Sequence, residues 1–81
     1  MIEITLDGTS GMDAIHAQLA ETFRFPDYYG RNLDALYDCL TDVQEDAQIR
    51  VVNAEALERQ GNVLQILLKR AAHNNPHLQI L

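Results

Sequence analysis

The sequence predicts an α/β fold in which a small three-stranded parallel sheet has four helices packed against it. Three observations carry that prediction. Strand-like segments stand near the start, in the middle and at the end of the chain. Stretches with helical spacing of apolar residues separate them. A strand that reaches its neighbour through a helix must run parallel to it. The 81 residues, 47% of them hydrophobic, suit a single domain over 1–81 with a modest core.

The opening strand is read from Ile2, Ile4 and Leu6, which alternate with Glu3 and Thr5. Asp7-Gly8-Thr9-Ser10-Gly11 is a turn cluster, and Ser10 is placed to cap a helix over 11–23 that buries Ile15, Leu19 and Phe23. Pro26 ends that pattern, because the residue before a proline is driven to extended geometry. Tyr28-Tyr29-Gly30 then forms a short loop. Asn32 is placed to cap a second helix, with Leu33, Leu36, Tyr37 and Leu40 at i, i+3, i+4 and i+7 on its inner face. Ile49-Arg50-Val51-Val52 reads as the second strand. Asn53 is placed to cap a brief third helix that ends before Gly61. A fourth helix over 62–73 buries most of Val63, Leu64, Ile66, Leu67, Leu68 and Ala71. Asn74-Asn75-Pro76 stops it, and residues 77–81 form the last strand.

Composition narrows the function. Twelve acids against six bases leave a formal charge of −6, the opposite of a nucleic-acid binder. No apolar run approaches the ~20 residues of a membrane span. The first residues lack the basic and apolar regions of a signal peptide, and the single cysteine, Cys39, has no internal partner. Together these lead us to expect a cytoplasmic protein that binds neither nucleic acid nor membrane. The acids are concentrated: Asp27, Asp34, Asp38, Asp42, Glu45 and Asp46 are opposed only by Arg31, a charge of −5 over residues 27–46. Such a run is either a solvated face or a docking surface for a basic partner.

The second helix favours the docking surface. With its leucines turned inward, 100° per residue brings Asp34, Asp38 and Thr41 to another side. Asp34 and Asp38, four apart, repel each other. Asp38 also lies toward the helix C-terminus, where the dipole disfavours an anion. A cationic partner would relieve both costs. Tyr28, Tyr29 and Tyr37 flank the patch, each a suitable interface anchor or a half-buried core residue.

The run from Phe25 to Thr41 resembles the signature of the barstar family, the segment P-x-Y-Y-G-x-N-L-D-A-L-x-D-C-L. Weaker similarity extends through the opening strand, the first helix and Val63-Leu64-Gln65. Between Cys39 and Val63 the chain is shorter than the family prototype, in the region of the third helix. The resemblance implies a barstar-like fold and an inhibitor or immunity protein that blocks a basic, secreted, barnase-type ribonuclease. Carried over by position, Asp38 would mimic the substrate phosphate, Asp34 would pair with an arginine at the cleft mouth, and Tyr28 would cover the catalytic histidine. Gly30, Asn32, Leu33, Tyr37 and Thr41 would complete the contact. Some positions depart from the prototype. Tyr37 replaces a tryptophan, Asp42 and Val43 replace a glycine and a large aromatic, and Lys69 and His73 replace acids. Asp42, Val43 and Lys69 are therefore partner-binding positions at which the target would differ, as a diverged ribonuclease or a toxin of another kind.

Other residues offer little chemistry. Cys39 reads as a small buried apolar residue, without a histidine nearby to activate it. His16, His73 and His77 lack metal-ligand spacing. An enzyme using Asp34, Asp38 and Asp42 to bind a divalent metal is the alternative from another class, but three carboxylates on one helix cannot surround an ion. A regulatory module on the same fold is a third reading. The expectation is a non-catalytic protein without a cofactor, monomeric when free.

Overall fold

The computed structural model describes residues 1–81, Gly61 by its backbone alone. In chain order the elements are β1 (Ile2–Asp7), a 3-10 turn (Gly8–Ser10), α1 (Met12–Phe23), α2 (Leu33–Thr41), β2 (Ala47–Val52), a second 3-10 turn (Ala54–Leu57), α3 (Arg59–Asn74) and β3 (Leu78–Ile80). The sheet has the order β1-β2-β3, and both pairings are parallel, with Ile4 opposite Ile49 and Ala47 opposite Leu78. Helices α1 and α2 make the first crossover and α3 makes the second, as the predicted parallel sheet requires.

Alternation along the strands decides which face of the sheet is covered. Ile4, Leu6, Ala47, Ile49 and Leu78 are buried, whereas Glu3, Thr5, Arg50 and Gln79 are exposed. Side chains on one face therefore meet the helices, which contribute Ile15, Leu19, Leu36, Leu40, Leu64, Leu68 and Ala71 to the same core. Each buried leucine or isoleucine contributes roughly 1.5–3 kcal/mol by leaving water.

Four helices were expected; among the described residues there are three α-helices. The predicted third helix is only the 3-10 turn at Ala54–Leu57, because Asn53 and Glu58 on either side of it have φ of 53° and 54°. Left-handed residues at both ends leave too few residues for an α-helical turn to propagate. Asn53 makes no side-chain cap there. The next helix starts at Arg59 rather than after Gly61. Ser10 does not cap α1 either. It lies in the first 3-10 turn, and the cap position belongs to Gly11, at φ 83°, a conformation that glycine adopts without strain. Val63 and Ile66, predicted to be largely buried, are 42% and 48% exposed.

The two 3-10 turns meet. Asp7 Oδ1 accepts hydrogen bonds from Thr9 N (2.9 Å), Thr9 Oγ1 (2.8 Å) and Asn53 Nδ2 (3.2 Å). These donors hold the Asp7 carboxyl below the usual carboxylate range, the Thr9 amide foremost. Gly8 sits so close to this junction that a Cβ there would lie 2.1 Å from Asn53 O.

Candidate functional site

The frame of the site is α2, fixed at both ends. At its start the Asn32 side chain accepts from Ala35 N at 2.8 Å, the capping role that the sequence assigned to it. At its end the carbonyls of Leu40 and Val43 both accept from Asn75 Nδ2 at 2.9 Å. Asn75 is 3% exposed, and its Oδ1 accepts from His77 N at 3.0 Å. A buried amide thus satisfies carbonyls that a helix terminus leaves without partners. Midway, Asn74 Nδ2 donates to Tyr37 Oη at 2.5 Å, tying α2 to the last turn of α3.

Leu36 and Leu40 are fully buried on this frame, Leu33 and Tyr37 are half-buried, and Asp34 and Asp38 are exposed. Thr41 is half-buried and donates its hydroxyl to Asp38 O at 2.9 Å. Asp42, exposed, closes the helix. The loop before α2 turns at two left-handed residues, Arg24 (φ 55°) and Arg31 (φ 53°). Between them Tyr29 points inward against Phe25, with ring centroids 4.9 Å apart edge to face. Tyr28 beside it is 87% exposed. Gly30 and Asn32 are exposed as well.

A shallow groove of about 770 Å³ separates the loop from α2. Its lining includes Arg24 and Tyr28 from the loop, and Asp38, Asp42, Val43 and Glu45 from the end of α2 and the residues after it. The structure thus brings Tyr28, Asp38, Asp42 and Val43 to one feature, with Asp34, Tyr37 and Thr41 continuing along the helix. Lys69 is not part of this group. It is exposed and lines a separate cavity with Glu55 and Glu58. Five positions from Asn74, it stands about 140° around α3 from the residue that touches Tyr37.

The electrostatics are one-sided. Among the described residues the one ion pair joins His77 Nδ1 to Asp46 Oδ1 at 2.9 Å, so Asp34, Asp38 and Asp42 are not neutralised from within. Exposed carboxylates around a groove with a tyrosine rim suit a cationic ligand that supplies its own donors. Cys39, half-buried, lines the same groove. Burial, with Asp42 and Asp38 adding to it, raises its thiol pKa, which keeps it protonated and unreactive. Among the described residues no three His, Cys, Asp or Glu side chains gather to hold a metal ion, so Asp34, Asp38 and Asp42 do not form the metal-binding group of the alternative reading. Among the described residues no helix is long and apolar enough to cross a membrane.

Sequence reasoning missed the supports of the site. Asn74 and Asn75 read as punctuation, yet both hold α2. His16 read as one of three scattered histidines. It is 3% exposed, and its Nδ1 meets Tyr29 Oη. The available signal was its place one residue after Ile15 and three before Leu19, inside the apolar stripe of α1.

Comparison with known proteins gives two findings. A family model described as Barstar (barnase inhibitor) matches residues 1–75. Over 43 residues the chain is 51% identical to YrdF of Bacillus subtilis (strain 168), a protein whose name marks it as a proposed ribonuclease inhibitor. That match takes in 51% of this chain and 47% of YrdF, so the shared stretch spans about half of the relative's length.

Proposed function

This chain belongs to the barstar family, a family of non-catalytic inhibitors, and from that premise we propose that it is an inhibitor or immunity protein. In this reading α2 and the loop before it block the active site of a basic ribonuclease. The observation that carries it is the pairing of Tyr28 and Asp38, both exposed, across one groove on a helix pinned at each end.

Ribonuclease clefts are cationic because they bind phosphates. A carboxylate held on a fixed helix replaces a phosphate oxygen without the entropic cost of ordering a loop on binding. Asp38 fills that role and Asp34 pairs with a further cation. Tyr28 covers the rim; Gly30, Asn32, Leu33, Tyr37 and Thr41 make the surrounding contact. Asp42 and Val43 line the same groove and set which ribonuclease, or which other toxin with a basic cleft, it fits. The charge of −5 over residues 27–46 steers association, which in such pairs reaches ~10⁸–10⁹ M⁻¹s⁻¹ at low salt. Action in the reducing cytoplasm of a producing cell suits the free thiol of Cys39.

The test is Asp38→Ala, titrated against a barnase-type ribonuclease alongside a melting curve. Loss of one partner from a desolvated charge pair costs about 2–5 kcal/mol of affinity. The melting temperature should hold or rise, because a carboxylate repelled by Asp34 is removed. Undiminished inhibition by the variant would overturn the assignment.

A further inference from the structure

We propose that Gly30 is a positioning residue of the binding surface. Having no side chain, it leaves room for the Asn32 amide that caps α2. It serves the ribonuclease through that cap rather than by touching it. Only this last step, and the binding arm of the test, rests on the proposed function.

The backbone does not account for a glycine at this position. The left-handed residue of the turn is Arg31, at φ 53°, whereas φ at Gly30 is not positive. The access to positive φ that distinguishes glycine is therefore unused at position 30. Burial does not account for it either, because Gly30 is exposed. What a side chain would meet is Asn32. A Cβ on Gly30 would lie 2.9 Å from Asn32 Nδ2. Among the described residues, chain neighbours aside, nothing else comes within 4 Å of that point. Non-bonded heavy atoms prefer about 3.5 Å or more, so the amide would have to move.

That amide is held in place by the helix. Its Oδ1 accepts from Ala35 N at 2.8 Å, and the Asn32 carbonyl accepts from Leu36 N at 2.9 Å. Asn32 is extended, with φ −126° and ψ 167°, the geometry of an N-cap residue. Oδ1 and Nδ2 share one rigid plane, so turning Nδ2 aside carries Oδ1 off the Ala35 amide. The first turn of α2 then loses its cap, and Leu33 and Asp34 lie in that turn. Asp38 stands one turn further on, toward the end that Asn75 holds. A methyl group at position 30 therefore loosens Asp34 and leaves Asp38 in place.

Asn32→Ser separates the cap from direct contact. Serine caps a helix about as well as asparagine does, and it has no Nδ2 to meet the methyl. Four proteins are compared: wild type, Gly30→Ala, Asn32→Ser and the double variant. Amide exchange at Ala35, followed by NMR, reports on the cap without any nuclease. Gly30→Ala should speed it about 2- to 30-fold, the range expected when an N-cap is lost. Asn32→Ser should stay near the wild type, and the double variant should recover to the same rate. Affinity for a barnase-type ribonuclease is measured for the same four proteins. Gly30→Ala should weaken binding when Asn32 is present and have no further effect on top of Asn32→Ser.

Unchanged exchange at Ala35 in Gly30→Ala overturns the proposal, and so does a double variant that fails to recover. An equal loss of affinity in both backgrounds also overturns it, because the ribonuclease would then pack directly on Gly30. A wild type that inhibits no such ribonuclease sinks the proposed function and the binding arm with it; the exchange arm still decides whether Gly30 holds the cap.

Discussion

Tyr29, from the loop before α2, places its hydroxyl on Nδ1 of His16 in the middle of α1. The rings stand 5.7 Å apart and tilted, and Phe25 packs edge-on against Tyr29 from the other side. Thirteen residues separate the partners, so the contact closes the loop as well as satisfying two polar groups. It also explains why neighbouring tyrosines differ. With Tyr29 drawn inward, Tyr28 projects into solvent at the rim of the acidic groove.

Stability should depend on His16 below neutral pH. Burial lowers its pKa beneath the ordinary 6.5; Arg31 adds to the lowering and Asp13 opposes it. A folded-state pKa below the unfolded value means that the unfolded chain takes up the proton first. The contribution of His16 is therefore complete above about pH 6.5 and is lost as pH falls through the folded-state value. Tyr29 acts at the alkaline end: burial, with Cys39 adding to it, pushes its hydroxyl up to about 12, so stability falls as pH rises beyond its ordinary value of about 10. Urea midpoints between about pH 5 and 8 for wild type and His16→Gln should converge toward the acid side. Parallel curves would show that His16 does not contribute to the slope.

Asn75→Ala should cost about 1–3 kcal/mol, because carbonyls at the end of α2 lose a buried donor. The loss should appear first as faster amide exchange in residues 40–44 and weaker inhibition, since Asp38 and Asp42 stand on that end of the helix. A change in global stability alone, with unaltered exchange there, would mean that Asn75 matters only to the core.

The sheet, α1 and α2 were legible in the sequence because their signals are local. Ile2-Ile4-Leu6 has the strand period, Leu33-Leu36-Tyr37-Leu40 has the helical one, and Asn32 precedes an apolar run. Failures came where distant contacts choose the conformation. Asn53 turns left-handed beside Asp7, 46 residues earlier, and so cuts the third helix to a 3-10 turn. Asn75 is committed to carbonyls 32 to 35 residues away, which no adjacent residue reveals. Of the candidate site, the motif and the two residues just beyond it supplied Tyr28, Asp38, Asp42 and Val43, which line one groove. Val63 and Ile66 were misread because leucine-rich spacing around α3 does not tell which turn of the stripe lacks a neighbour.

Gly8→Ala should be among the most damaging small substitutions. The added methyl would lie 2.1 Å from a backbone oxygen of Asn53, which cannot rotate aside. Overpacking of this kind costs about 1–3 kcal/mol, and here it would separate the two turns that Asp7 joins. Chemical denaturation should show the loss with little change in ribonuclease affinity for the molecules that remain folded. A neutral Gly8→Ala would mean that the turns part at no cost.

Lys69 supplies the last test, because the family resemblance and its position in the fold pull in different directions. By resemblance, Lys69 stands where an acid reaches the nuclease, so Lys69→Glu should favour barnase-type enzymes. By position, it faces Glu55 and Glu58 across a separate cavity of about 380 Å³, on the flank of α3 turned away from Tyr37. An exposed charge so placed acts through the field and is screened beyond ~8 Å at physiological ionic strength. Lys69→Glu should therefore change affinity by no more than about 0.5–1 kcal/mol, almost entirely in the association rate and only at low salt. Asp38→Ala, by contrast, should act on dissociation. Stopped-flow association and competition-based dissociation measured for both variants at two salt concentrations separate the cases. A tenfold or larger change in dissociation for Lys69→Glu would show that the partner wraps around α3, and would restore Lys69 to the contact surface as a selectivity position.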